Sequence, residues 1–473
     1  MHWPIYATRI HHVHSGQIST QRADSAKTDM DSATTSLPVP TESFALPRLR
    51  VAPYVWMTAA AFLYRVALML YLHSFRFPPG EGPMPRTFGF GFETGSIAAS
   101  IATGHGFSSP FGVASGPTAW VAPVYPFLCA MIFKVLGVFT VPSAIAVLVM
   151  NCLLSALTCI TIYLIAERTV GRQVGLWAGW AWAVVPFFMR WPTTWVWDMS
   201  LSALLLSLLF LCTLRIRHTT NWKKWLGLGL LWGITALTNP ALLTFLPLSA
   251  GWLVYRLRDK WRAVVPLMAI AALGCCVVVT PWLVRNRAVF GHYVFIRGNF
   301  GFEFHLGNYH YSNGLGWPNR HPTVNPRFLE EYLRLGEQGF VAEHGRQGME
   351  FVRRYPGEFA RLCLYRFIVF WDGTSLNYVP PDEWRPWMCL LLSLLTLWGL
   401  MLAIGERVPG AVLAGLLLLL YPLPYYLAFP TVRYRHAIEP EMLILSVYFV
   451  YETVMHFKAK IASLKSDRIR PRN

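Results

Sequence analysis

The sequence predicts an all-α polytopic membrane protein with about ten transmembrane helices. Hydrophobic residues fill 54% of its 473 positions and charged residues only 14%, where a soluble domain carries about 25%. The apolar letters also gather in runs of about 20 residues, each long enough to span a ~30 Å hydrocarbon core. Together these observations exclude an ordinary cytosolic enzyme and a disordered chain.

Residues 1–50 are polar, carry Pro38, Pro40 and Pro47, and lack the apolar core of a signal peptide. They read as a disordered cytoplasmic tail. A first span is expected over 53–73. Residues 74–118 form a loop rich in Gly, Pro and Ser, too long for a tight connection. The stretch 119–139 is apolar but holds Pro123, Pro126 and Lys134. Further spans are expected at 141–165, 174–191, 199–216, 225–240, 241–255, 263–282, 386–404, 409–429 and 437–456.

The net charge of +17 reflects topology rather than nucleic-acid binding. Arg215, Arg217, Lys223 and Lys224 fill one polar break between apolar runs, and Arg256, Arg258, Lys260 and Arg262 fill another. Lys458, Lys460, Lys465, Arg468, Arg470 and Arg472 crowd the C-terminal end. Basic clusters of this kind mark cytoplasmic loops. If 119–139 crossed the membrane, the two internal clusters would face away from a cytoplasmic N-terminal tail. If it lies along the outer interface, every cluster and both termini face the cytoplasm. The second arrangement is expected, and it turns 74–140, 192–198 and 283–385 outward.

The chain is thus expected to comprise the tail 1–50, a transmembrane catalytic module 51–282 with its first outer loop 74–140, an extracytoplasmic region 283–385, C-terminal transmembrane helices 386–456 and a basic tail 457–473. Within the extracytoplasmic region, Tyr355–Trp371 interleaves Arg361 and Arg366 with Phe359, Leu362, Leu364, Phe367, Ile368 and Phe370. The pattern suits a helix at the membrane surface with its arginines near lipid phosphates, and equally a plain amphipathic packing helix.

Two acids stand on the outward side. Glu93 precedes Ile97, Ala98, Ile101 and Ala102 at helical spacing. It reads either as a first-turn acid favoured by the helix dipole or as a functional carboxylate. Asp198, just ahead of an apolar helix, reads either as an N-cap or as a partner of Glu93. Two carboxylates on one surface can orient and deprotonate a hydroxyl. Positive groups on the same side are Arg285, Arg287, Arg297, Arg361, Arg366 and the run Arg433-Tyr434-Arg435-His436. Arginine suits bidentate phosphate recognition. The eight cysteines lie in apolar or aromatic stretches without metal or redox spacing, and no Walker, GxSxG or HExxH motif occurs.

The ordered motifs resemble the GT-C superfamily of integral-membrane glycosyltransferases, in particular the family 39-like group that includes protein O-mannosyltransferases and the lipid A aminoarabinose transferase. The series is Glu93 with Ala98, Gly104 and Gly106, then Thr118-Ala119-Trp120-Val121-Ala122-Pro123-Val124-Tyr125-Pro126, Asp198, Leu237-Thr238-Asn239-Pro240, Pro281-Trp282-Leu283-Val284-Arg285-Asn286, Gly307-Asn308 and Arg433-Tyr434-Arg435-His436. The resemblance implies a GT-C-like fold and inverting transfer of a sugar from a polyprenyl-phosphate carrier to an acceptor hydroxyl outside the membrane. It makes Glu93 the base, has Asp198 position the acceptor, and suggests Arg285, Arg433, Arg435 and His436, with Arg361 and Arg366, for the carrier phosphate. No cofactor or divalent metal is implied, and the expected partners are the lipid-linked donor, a glycan, lipid or protein acceptor, and membrane lipids. Phe92 stands where many relatives carry a second acid, and Ala122 and Asn239 stand near positions where many carry a base. The expected location is a bacterial inner membrane. A lipid or glycolipid transporter, or a non-catalytic cell-envelope assembly protein, is the alternative.

Overall fold

A computed structural model describes residues 52–77, 88–316, 318–374 and 384–469. The tail expected over 1–50 lies outside the described residues. Among the described residues the chain is helical, with no strand and one isolated bridge between Ser108 and Pro117.

Helix α1 (Pro53–Tyr71) leads into a first loop that holds α2 (Glu93–Ala102) and α3 (Val124–Leu136). Then come α4 (Val141–Thr169), α5 (Arg172–Val184), α6 (Arg190–Thr194), α7 (Met199–Ile216) and α8 (Trp222–Thr238). Helices α9 (Phe245–Arg256) and α10 (Trp261–Phe290) precede a second long excursion made of α11 (Phe300–Gly307), α12 (Pro326–Arg354) and α13 (Pro356–Asp372). The chain returns through α14 (Arg385–Gly405), α15 (Ala411–Leu420), α16 (Leu423–Leu427), α17 (Val432–Arg435) and α18 (Glu439–Ile469).

Among the described residues, five helical stretches are long and apolar enough to cross a membrane: α1, α4, α7, Arg258–Phe290 and α14. The spans expected at 174–191, 225–240, 241–255 and 409–429 form shorter helices, and prolines explain the breaks. Helix α5 ends before Pro186, α8 before Pro240, and α15 before Pro422. Proline supplies no amide hydrogen to the helix, and the residue before it avoids the helical region. The basic segment after 456 continues α18 to Ile469 rather than leaving the helix. Large apolar side chains such as Trp56, Leu63, Leu273, Val277, Leu397 and Trp398 stand exposed along α1, α10 and α14. So much exposed apolar surface marks an integral membrane protein.

Helix α3 has 13 residues, a rise of about 20 Å, too short for the ~30 Å core. Tyr125, Cys129 and Phe133 face the protein, while Phe127, Met131 and Val135 are exposed. The alternation at helical spacing packs one face of α3 against the protein and leaves the other, apolar, exposed.

Arg65 is fully buried in α1 and has a local cause. Its guanidinium donates to the carbonyls of Trp182 (2.7 Å) and Ala183 (3.2 Å) at the end of α5, and to Ser155 Oγ (3.1 Å). The residue four positions beyond Trp182 is Pro186, which has no N–H to offer that carbonyl. Arg65 completes the helix end that the proline leaves open.

Helix α13 divides its two arginines, with Arg361 on the exposed face and Arg366 turned inward. Leu364, Phe367 and Ile368 are exposed, whereas Arg366 is fully buried. Arg366 donates to the carbonyls of Gly307, Gly314, Tyr426 and Leu427 and to Asn308 Oδ1. Most of these acceptors sit at the ends of α11 and α16, where helical carbonyls lack intrahelical partners.

Candidate active site

Two adjoining cavities lie where the first loop, the turn before α7, the α10–α12 excursion and the α16–α17 corner meet. The larger is about 470 Å³ and the smaller about 250 Å³. Trp197, Arg297, Glu303, Phe429, Arg433 and Tyr434 belong to the walls of both. Asp198 lines the larger and Glu93 the smaller.

Glu93 is the first residue of α2, where the amide dipoles favour a negative charge. Its Oε1 lies 3.0 Å from His321 Nε2. Its buried Oε2 has no hydrogen-bond partner among the described residues. Burial pushes the Glu93 carboxyl up, but the His321 ring, the Glu93 backbone amide and Arg297 together outweigh it and leave it below the usual carboxylate value. Phe92, at φ 48°, directs its ring toward Trp195 and Trp197, each 6.4 Å away between centroids.

Asp198 occupies the N-cap position of α7, yet its side chain caps no backbone N–H there. Instead Oδ2 accepts from the Ser202 hydroxyl at 2.8 Å, and Ser202 Oγ lies 3.5 Å from Asn239 Nδ2. Burial dominates over Ser202, Arg297 and Arg433, so this carboxyl lies above its ordinary value. The side chain therefore does not act as the cap: its carboxylate turns to Ser202 rather than to the first N–H groups of α7.

Arg297 bridges the two acids electrostatically. Its Nη2 lies 3.1 Å from Glu303 Oε1, and Asn299 Nδ2 donates to the same oxygen at 2.8 Å. Arg433, on the single turn α17, stacks over Trp197 at 4.9 Å and Tyr434 at 5.1 Å. The shared wall thus offers two guanidinium groups between two carboxylates.

The other predicted phosphate contacts are placed elsewhere. Arg285 donates to the carbonyls of Thr118 (2.7 Å) and Phe107 (2.8 Å) and stacks on Trp282. Glu337 grips the same segment from the other side, accepting from the Thr118 hydroxyl and from the Ala119 amide at 2.7 Å. Arg361 is exposed on α13, and Arg366 is spent on backbone carbonyls. Arg435 is fully buried, donating to the Trp371 and Cys389 carbonyls and to Ser393 Oγ. His436 stacks on Trp182 and lies 2.7 Å from Glu439 Oε2. None of these five predicted contacts lines either cavity. The motif Arg433-Tyr434-Arg435-His436 splits because its one helical turn points alternate residues to different sides.

In the sequence Arg297 stands out only as one of several positive groups, and His321, Glu303 and Ser202 do not stand out at all. His321 carries no local signal: it sits in an irregular polar stretch and is brought to Glu93 only by the tertiary fold. Among the described residues no group of three or more His, Cys, Asp or Glu is placed to hold a metal ion.

The family model for dolichyl-phosphate-mannose-protein mannosyltransferase matches residues 120–284, from the approach to α3 through most of α10. That span includes Asp198 and Asn239 and stops short of Glu93 and Arg433. The apo oligosaccharyltransferase of Archaeoglobus fulgidus superposes with a TM-score of 0.51 at 11% identity, over 87% of this chain and 52% of that one. The chain resembles the GT-C glycosyltransferases. ArnT from Cupriavidus metallidurans bound to undecaprenyl phosphate aligns at TM-score 0.41 and 13% identity, over 84% of this chain and 77% of that one. No curated protein matches the sequence. The chain spans about half the length of the oligosaccharyltransferase, and the likeness to that structure is one of membrane-embedded fold.

Proposed function

We propose that the protein is an inverting, hexosyltransferase-type glycosyltransferase that moves a sugar from a polyprenyl-phosphate carrier to an acceptor hydroxyl at the outer face of the membrane. The observation that carries this reading is the placement of Glu93 and Asp198 in two cavities that share Arg297 and Arg433. Glu93 Oε2 takes the hydroxyl proton as the acceptor oxygen bonds to the anomeric carbon. The bond from that carbon to the phosphate oxygen breaks, and its electron pair leaves with the polyprenyl phosphate. Attack from the face opposite the leaving group inverts the configuration.

Arg297 and Arg433 meet the charge that grows on the departing phosphate, stabilising the transition state more than the ground state. Asp198 orients the reacting groups and balances the arginines. Val121, Ala122, Leu423, Leu427 and Phe300 give the larger cavity an apolar wall suited to isoprene units. Arginines rather than a divalent ion serve as the partners of the phosphate. Outer-face action is supported by the basic clusters at the far ends of the helices, which the positive-inside rule assigns to the cytoplasm.

The match to the dolichyl-phosphate-mannose-protein mannosyltransferase model supports a lipid-linked donor, and a bacterial inner membrane is the proposed location. The transporter alternative calls for ionisable side chains strung along a path through the spans. Arg65 is instead committed to the end of α5.

The test supplies the purified protein with radiolabelled polyprenyl-phosphate sugars and a cell-envelope extract. Label leaving the lipid and appearing covalently on an acceptor supports the enzyme. Label that crosses reconstituted vesicles while still attached to the lipid overturns it.

A further inference from the structure

We propose that His321 is a positioning residue, held as the neutral Nε2–H tautomer, which holds Glu93 through Oε1 and leaves Oε2 as its unpaired oxygen. The proposal rests on the reading of Glu93 as the base and adds the element that aims it.

The tautomer is set by one backbone group. The Thr323 amide lies 3.2 Å from His321 Nδ1, and an amide N–H can only donate. Nδ1 therefore accepts, with the Thr323 hydroxyl 2.9 Å from the same nitrogen. A neutral imidazole with an accepting Nδ1 carries its proton on Nε2. That N–H points to Glu93 Oε1 at 3.0 Å. Glu93 Oε1 is consequently occupied, and the buried Oε2 is left for the substrate proton.

The ring is fixed by edge-on packing as well. Phe111, Trp120 and Phe302 meet it at interplanar angles of 82°, 78° and 62°. The imidazole is thus boxed by aromatic edges, clamped at Nδ1 by its own chain, and free to serve Glu93 only through Nε2. Other charged groups lining the same cavity are Arg297 and Glu303 from the α10–α12 excursion, Arg433 from α17, Arg190 from α6 and Arg385 from α14, with Asp198 in the adjoining cavity.

Geometric side-chain mimicry tests this. In His321→Gln the amide nitrogen reaches as far as Nε2 and restores a donor to Oε1. In His321→Asn the amide nitrogen stops at the level of Nδ1 and does not reach Glu93. The full-length protein, assayed by sugar transfer across pH, is expected to lose activity on the order of a hundredfold in His321→Asn and to stay within about tenfold of wild type in His321→Gln. Without the donor, Glu93 loses the hydrogen bond that favours its charged form, so the acid limb of the pH profile moves to higher pH in His321→Asn and stays nearer that of wild type in His321→Gln. Wild-type activity and an unmoved acid limb in His321→Asn, with Glu93→Gln inactive, overturn the role of His321 alone. An active Glu93→Gln overturns the base assignment beneath it. Independently of activity, the imidazole ¹⁵N NMR difference spectrum between wild type and His321→Gln reports a protonated Nε2 and a bare Nδ1. A protonated Nδ1 in that spectrum contradicts the proposal.

Discussion

Gly91 lies directly against the backbone carbonyl of Val196, so close that a Cβ at position 91 would overlap that oxygen. Gly91 also sits at φ 82°, a conformation that L side chains rarely adopt. This is the seam between the loop that carries Glu93 and the turn that carries Asp198. The distance between the two acids is therefore set by a residue that touches no substrate. Gly91→Ala is expected to push the seam apart and cut transfer on the order of a hundredfold while carrier-lipid binding persists. Transfer rates and lipid retention on the purified variant check this; an unimpaired Gly91→Ala rate would contradict it.

Arg433 and Arg366 separate by what their variants lose. Arg433→Ala removes a charged partner of the phosphate, worth about 1.5–3 kcal/mol, and is expected to weaken donor binding roughly 10- to 150-fold with the fold intact. Arg366→Ala leaves several buried carbonyls without donors, at about 1–3 kcal/mol for each one left unsatisfied. It should lower the melting temperature in detergent while surviving molecules keep a normal KM for donor. Thermal unfolding and steady-state kinetics of the two variants distinguish the roles.

The two carboxylates are shifted in opposite directions. Burial places Asp198 above its ordinary value, while His321 and Arg297 help hold Glu93 below its own. As pH falls, Asp198 takes up its proton at a higher pH than an ordinary aspartate, and the charge it sets against Arg297 and Arg433 is lost with it. Asp198→Asn is accordingly expected to be slower at neutral pH but to hold its remaining activity to lower pH than wild type. Profiles of kcat/KM against pH for the two proteins give the comparison, and coincident acid limbs would refute a role for the raised Asp198 carboxyl.

Arg65→Leu keeps the apolar character of α1 but strips the carbonyls of Trp182 and Ala183 of their donor. A loss of about 1–3 kcal/mol is expected for each buried acceptor left unsatisfied. Introducing Pro186→Ala in the same chain returns an N–H to Trp182 and is predicted to recover part of the loss. A double-mutant cycle on melting temperature measures the coupling.

Much of the architecture was legible because lipid imposes strong patterns. Apolar length exposed the five long apolar helices, and 119–139, expected to lie along an interface rather than to span, holds the short helix α3. Proline breaks inside 174–191 and 409–429 were visible as letters, but not how short the helices around them would be. In the site, Glu93, Asp198 and Arg433 stood out because charge at the end of an apolar run is conspicuous. His321 and Glu303 did not, because the excursion between α10 and α14 has no membrane period to set its residues in space. The assignment of Arg366 and Arg435 to phosphate failed to foresee which way each side chain turns. An arginine that reaches a ligand and one that closes a helix end look alike in sequence, since both use the same hydrogen-bond donors.

Glu93 as the group that takes the acceptor proton is the central claim, and a single-turnover reaction tests it most directly. Donor lipid is first bound to wild type and to Glu93→Gln, acceptor extract is added, and freed polyprenyl phosphate and the anomeric configuration of the product are tracked. Equal donor binding, an inverted product from wild type, and a rate about 10²–10⁴ lower in Glu93→Gln are predicted. Wild-type turnover by Glu93→Gln would contradict the account.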